Sequence, residues 1–128
     1  MIKRIDHVGL VVRDLDEALD LYVNILGFKK SDILIPQKGE KFRTVMVSLD
    51  QVTFELIEPM DPQGGIQKFL ETRGEGIHHV SLEVDDIRHR VRHDPRILDY
   101  RGHARPERQH RHIIIRRVDS HPLQHTRR

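Results

Sequence analysis

Ile5-Asp6-His7-Val8-Gly9-Leu10-Val11-Val12-Arg13-Asp14-Leu15 returns 72 residues later as Ile77-His78-His79-Val80-Ser81-Leu82-Glu83-Val84-Asp85-Asp86-Ile87, with six identities in eleven positions. Such a recurrence marks one supersecondary unit used twice. It pairs His7 with His79, Val12 with Val84 and Asp14 with Asp86. Residues 5–12 alternate on a β-rich background and predict a strand. Asp14-Leu15-Asp16-Glu17 then matches a capping box, with Asp14 as N-cap and Glu17 able to reach back. Leu15, Ala18, Leu19, Tyr22 and Leu26 follow helical spacing, and Gly27 is a stop signal.

Outward from this core, three strands are predicted over residues 28–35, 42–49 and 52–58, separated by Gly39-Glu40 and Asp50-Gln51. The first unit therefore reads βαβββ. Turn-forming residues fill 59–65, Ile66, Phe69 and Leu70 suit a short helix, and Gly74-Glu75-Gly76 precedes the returning strand at 77–84. The division expected is a first module at 1–59, a linker with a short helix at 60–76, and a second module from 77 to 128. That second copy starts normally and then departs. Arg88-His89-Arg90-Val91-Arg92-His93-Asp94-Pro95 has few apolar residues and a proline within two turns, which opposes a helix like the first. Beyond it, only Ile113-Ile114-Ile115 and Val118 resemble a strand.

Charge follows the same division. Residues 1–87 hold ten Lys and Arg against sixteen Asp and Glu, and residues 88–128 hold twelve against four. All twelve basic residues of the later segment are arginine, and it carries seven of the ten histidines. The bias begins abruptly, as a reading-frame change or an unusual fusion would produce, and the genomic nucleotide sequence tests that origin. With 128 residues, 37% of them hydrophobic, the chain can bury one compact core. It contains no cysteine, which excludes disulfides and thiolate metal sites. No apolar run long enough for a signal or a transmembrane helix occurs, so the expectation is a soluble, cytoplasmic protein.

Period-two geometry places Ile5, His7, Gly9 and Val11 on one strand face, and Ile77, His79, Ser81 and Glu83 on the equivalent face of the repeat. In the fourth strand Thr53, Glu55 and Ile57 share a face. A single strand histidine is most often a hydrogen-bonded structural residue, and a strand glutamate is most often solvated. Two imidazoles at repeat-related positions with a carboxylate in an apolar strand instead suit a divalent metal site, since borderline ions accept N and O donors.

The strings Ile5-Asp6-His7-Val8-Gly9, Asp14-Leu15-Asp16-Glu17-Ala18, Phe54-Glu55-Leu56-Ile57-Glu58-Pro59 and Gly74-Glu75-Gly76-Ile77-His78-His79-Val80 resemble methylmalonyl-CoA epimerases of the vicinal-oxygen-chelate (glyoxalase/bleomycin-resistance) superfamily. The resemblance covers about residues 1–87. It implies an α+β fold of paired βαβββ modules forming a cup around one divalent ion, here with an incomplete or divergent second module. The implied ligands are His7, Glu55 and His79, the last preferred to His78, which should face the other side of the sheet. Cobalt, nickel, manganese and zinc suit such donors about equally. The implied activity is proton transfer α to a thioester carbonyl, through a metal-stabilised enolate, with Glu40 near the place of one family base. The family's fourth ligand and second base have no match.

Two alternatives share this fold. One is a glyoxalase I-like lyase acting on a glutathione thiohemiacetal, and the other is a protein that binds a small molecule without chemistry. A third class, a polycationic arm for nucleic acid, is disfavoured because Tyr100 is the lone aromatic of the arginine-rich segment. The uncovered concave face and sheet edge of a lone module further predict a homodimer.

Overall fold

The structure is a computed structural model that describes residues 2–84 and the strand backbones of 97–100 and 111–116. In chain order the elements are β1 (Ile2–Val11), α1 (Leu15–Leu19) continuing as a π-helical segment (Asp20–Ile25), β2 (Lys29–Lys30), β3 (Phe42–Leu49), β4 (Val52–Pro59), α2 (Gly65–Arg73), β5 (Gly76–Val84), β6 (Ile97–Tyr100) and β7 (Arg111–Arg116). The strands form one mixed sheet in the order β2-β3-β4-β1-β5-β7-β6. Strand β1 runs parallel to β4 and antiparallel to β5. It is therefore the central element onto which both halves of the sheet are laid.

The predicted helix begins where its cap lies. The Asp14 carboxylate accepts from the Asp16 and Glu17 amides, and Glu58 Oε2 accepts from Leu15 N–H at 2.6 Å. Three of the four orphan amide groups at the start of the helix are thereby satisfied. The helix closes at Gly27, whose φ of 79° falls in the left-handed region. Its second half is π-helical, with Leu26 N–H bonded to Leu21 C=O at 2.9 Å.

Strand β2 is much shorter than the predicted 28–35. It spans only Lys29–Lys30, followed by an isolated bridge between Leu34 and Thr44. The cause is local: Ser31 Oγ accepts the Met46 amide at 2.9 Å and takes the place of a backbone carbonyl in the ladder. Pro36, just beyond, has no amide hydrogen with which to resume it. The isoleucine run does form a strand, β7, whereas Val118 lies outside the described residues, as do Asp86 and the segment 88–95. The sequence reading did not anticipate β6.

The second unit does not repeat the pairing of the first. Strand β1 has the parallel β4 on one side, while its repeat β5 has the antiparallel β7 on its outer side. Two apolar clusters sandwich the first unit. Leu15 of α1 is buried with Val45, Val47 and Leu56, and the partly buried Leu10, Val12, Tyr22, Phe28 and Phe54 pack against them. On the other face Val11 and Ile57 pack against Ile66 and Leu70 of α2. Leu56 is fully buried at the centre of the larger cluster. Leu56→Ala is therefore expected to lower unfolding stability by about 2–5 kcal/mol, read as a lower urea midpoint at unchanged slope.

Candidate metal centre

The register of three neighbouring strands builds the site. Gly9 of β1 lies opposite Glu55 of β4 on one side and opposite His79 of β5 on the other. Glu55, Gly9 and His79 thus form one row across the sheet, with a glycine in the middle. A Cβ at Gly9 would collide with Cε1, Nδ1 and Nε2 of His79, so the imidazole lies directly over the glycine backbone. This lets His79 Nε2 come within 3.3 Å of Glu55 Oε1 across an intervening strand. His7 stands two residues along β1 on the same face. Its Nε2 lies 3.2 Å from His79 Nε2 and 3.7 Å from Glu55 Oε1.

The repeat explains the symmetry of this placement. Val8 pairs with its own repeat partner Val80, so β1 and β5 are related by a local twofold between them. His7 is opposite Ser81, and His79 is opposite Gly9. Each histidine therefore faces a small residue on the neighbouring strand, which leaves room for both rings on one face.

These donors fit a divalent ion. Three atoms at the observed separations are equidistant from a point about 2 Å from each, the length of a bond from a divalent ion to an imidazole nitrogen or a carboxylate oxygen. The donor chemistry agrees, because two ring nitrogens and a carboxylate oxygen turned toward one another call for a cation or a shared proton between them. All three side chains are mostly buried, with 12%, 17% and 8% of the His7, Glu55 and His79 side chains exposed. Burial pushes the Glu55 carboxyl up, but the His79 hydrogen bond and the charges of His7 and His79 outweigh it and hold the pKa below its ordinary value of 4.5. Thr44 contributes least to this shift, and its buried Oγ1 has no partner with good hydrogen-bond geometry.

The structure thus brings together His7, Glu55 and His79 and places Glu40 elsewhere. Glu40 Oε1 accepts the Ile66 amide at 2.8 Å and rests against Gly64, which precedes α2 and has no capping side chain. The sequence signal for this was Gly64-Gly65 ahead of an apolar run with no Ser, Thr, Asp or Asn to start the helix. The expectation for His78 is corrected. The register slips between Gly9/His79 and Leu10/Ile77, leaving His78 in a bulge, which re-aims a side chain. Its Nδ1 lies 2.9 Å from His79 Nδ1, and its ring meets Phe69 of α2 at 5.1 Å. A shallow depression of about 270 Å³ beside α1, lined by Asp16, Leu19, Asp20, Val23, Asn24 and Lys30, is separate from the cluster and gathers no comparable donor set.

Two outcomes are expected. Gly9→Ala retains the fold by circular dichroism but displaces His79 and weakens divalent-ion binding by about tenfold or more in calorimetry. A carboxylate with a depressed folded pKa contributes stability above its unfolded value, and that stability is lost as the pH falls through the folded value. Metal-free protein should therefore lose stability as the pH falls below 4.5 in urea titrations, and Glu55→Gln should flatten that loss.

Comparison with known proteins agrees with this architecture. Residues 6–95 match the glyoxalase/bleomycin resistance protein/dioxygenase superfamily. The chain is 37% identical over 92 residues to the mitochondrial methylmalonyl-CoA epimerase of Dictyostelium discoideum, which covers 71% of this chain and 55% of that one. It overlays methylmalonyl-CoA epimerase from Mycobacterium tuberculosis with a TM-score of 0.61 at 31% identity, covering 67% of this chain and 58% of the other. A variant of the Streptomyces coelicolor epimerase in complex with 2-nitronate-propionyl-CoA gives a TM-score of 0.56 at 26% identity, over 68% of this chain and 66% of that one. The chain spans about half the length of the mitochondrial relatives it matches. On the matched span, the strand register and the histidine repeat, the chain belongs to the glyoxalase/bleomycin resistance protein/dioxygenase superfamily.

Proposed function

We propose that this protein is a metal-dependent epimerase of the methylmalonyl-CoA type, which moves a proton on the carbon α to a thioester carbonyl. The observation that carries this proposal is the convergence of His7, Glu55 and His79 in a chain whose relatives include methylmalonyl-CoA epimerases. His7, Glu55 and His79 would hold the ion, one of cobalt, nickel, manganese or zinc. A divalent ion in such a place supplies positive charge beside the carbonyl oxygen and acidifies the neighbouring C–H bond. Three protein donors leave coordination positions open for substrate.

The chain's own residues would do the rest. The apolar packing of Val11, Ile57 and α2 beside the cluster keeps water from one side of the site. Glu40 enters as the carboxylate that accepts the α-proton. Since Oε1 accepts the Ile66 amide, that role would fall to Oε2. The second acid/base group and a fourth ligand have no assigned residue. We also propose a homodimer, because large apolar side chains such as Ile5, Ile25, Leu34 and Ile77 are exposed. A monomer by sedimentation at micromolar concentration would overturn that assignment.

The test is exchange of the α-proton of methylmalonyl-CoA for deuterium by the full chain loaded with each metal in turn. Exchange is expected with at least one metal, and it should vanish together with stoichiometric metal binding in His7→Ala and His79→Ala. Glu40→Gln separates the two roles of that residue. A base predicts a fall in kcat of about 100-fold or more, whereas a helix cap alone predicts a lower Tm at unchanged kcat. Turnover of a glutathione thiohemiacetal in place of exchange would move the assignment to a glyoxalase-like lyase. Binding of either ligand without turnover would leave a binding protein of the same fold.

A further inference from the structure

We propose that Thr44 is a positioning residue for Glu55, its hydroxyl left without a partner in the resting sheet and donated to the Glu55 carboxylate when the cluster takes up an ion. The proposal rests on the reading of His7, Glu55 and His79 as the ligands. Thr44 Oγ1 is the one buried side-chain oxygen or nitrogen among the described residues that has no hydrogen-bond partner. Such groups are scarce in folded proteins, because a polar atom buried without a partner costs free energy that an apolar substitute of the same shape would not.

The surroundings show why this hydroxyl is left over. On the β3–β4 hairpin Thr44, Met46 and Ser48 share the cluster face with Thr53, Glu55 and Ile57, while Val45, Val47 and Leu56 fill the core on the other side. Ser48 and Thr53 are direct cross-strand partners, and their hydroxyls satisfy each other at 2.9 Å. Thr44 instead lies opposite Ile57, whose side chain has nothing to accept with. Of the β4 side chains opposite and diagonal to it, Ile57, Pro59 and Glu55, only Glu55 can accept a hydrogen. Diagonal neighbours on one face lie about 7–8 Å apart, a gap that long side chains bridge. The Thr44 backbone is fixed on its outer side as well, since its N–H donates to Leu34 C=O at 2.9 Å and its C=O accepts from Leu34 N–H at 2.8 Å.

Glu55 has the complementary need. Both imidazoles approach it at Oε1, at 3.3 Å and 3.7 Å. A carboxylate that gives one oxygen to an ion still carries lone pairs on the second, and in this mostly buried side chain they call for a donor. Ligating carboxylates are in turn hydrogen-bonded, and such outer partners fix their orientation. Thr44 is already the smallest of the influences on the Glu55 pKa, after burial, which raises it, and the two histidines, which lower it. Its hydroxyl lacks good hydrogen-bond geometry in the resting site, as befits a contact that tightens on loading.

The deciding experiment compares wild type, Thr44→Val and Thr44→Ser as full-length protein, by zinc titration in a calorimeter and by urea unfolding of the metal-free form. Valine keeps the branched shape and removes the hydroxyl, whereas serine keeps the hydroxyl. Thr44→Val should bind zinc about tenfold or more weakly than wild type, with a metal-free urea midpoint that is unchanged or higher. Thr44→Ser should bind zinc nearly as tightly as wild type. A hydroxyl that merely supports the fold predicts the reverse for Thr44→Val, a lower metal-free midpoint at unchanged zinc affinity. Either of those two results, or a loss of affinity in Thr44→Ser equal to that in Thr44→Val, overturns the proposal. Zinc binding that is absent from wild type, or that survives His7→Ala, overturns the reading of the cluster and the role of Thr44 with it. Binding that is lost in His7→Ala but kept in full by Thr44→Val overturns the role of Thr44 alone.

Discussion

The site depends on the absence of a side chain. Glu55 and His79 sit on strands that never touch, with β1 between them, and their functional atoms meet only because Gly9 leaves the space above the middle strand open. Any larger residue there would keep the imidazole and the carboxylate apart. Each would then lose one of its partners in a mostly buried setting, where a missing polar contact is costly. The parallel pairing of β1 with β4 and the antiparallel pairing with β5 are what bring the three residues into line.

The electrostatics follow from that geometry. Glu55 is desolvated among apolar neighbours, yet its pKa is held down because two imidazoles lie on the same oxygen. The cluster is an arrangement of complementary groups on one face of the sheet. Near it, Val11 and Ile57 pack against α2, and Arg4 pairs with Asp6 and Glu83.

Much of this was legible in the chain itself, because alternation along a strand is a local rule. The face shared by His7 and Gly9, the face shared by His79 and Ser81, and the placement of Glu55 all follow from period two and from the repeat. What escaped had causes that are not local. His78 is re-aimed by a bulge that exists only in the pairing of β5 with β1. Glu40 is drawn to α2 because Gly64, distant in sequence, offers that helix no cap. Ser31 shortens β2 by using its hydroxyl where the ladder expects a carbonyl. Strand β6 is four residues in an arginine-rich background, too short for its alternation to stand out.

The same arrangement bears on how the molecule comes together. Strands β3 and β4 form a local hairpin, but the cluster draws on residues as far apart as His7 and His79, separated by 72 positions. Closing a loop of that length carries an entropic cost that short-range pairing avoids, so the cluster assembles with the late, non-local part of the sheet. A ligand that needs all three side chains at once recognises only the completed sheet. It acts as a clasp on the finished topology, slowing the parting of β5 from β1 far more than it hastens their meeting.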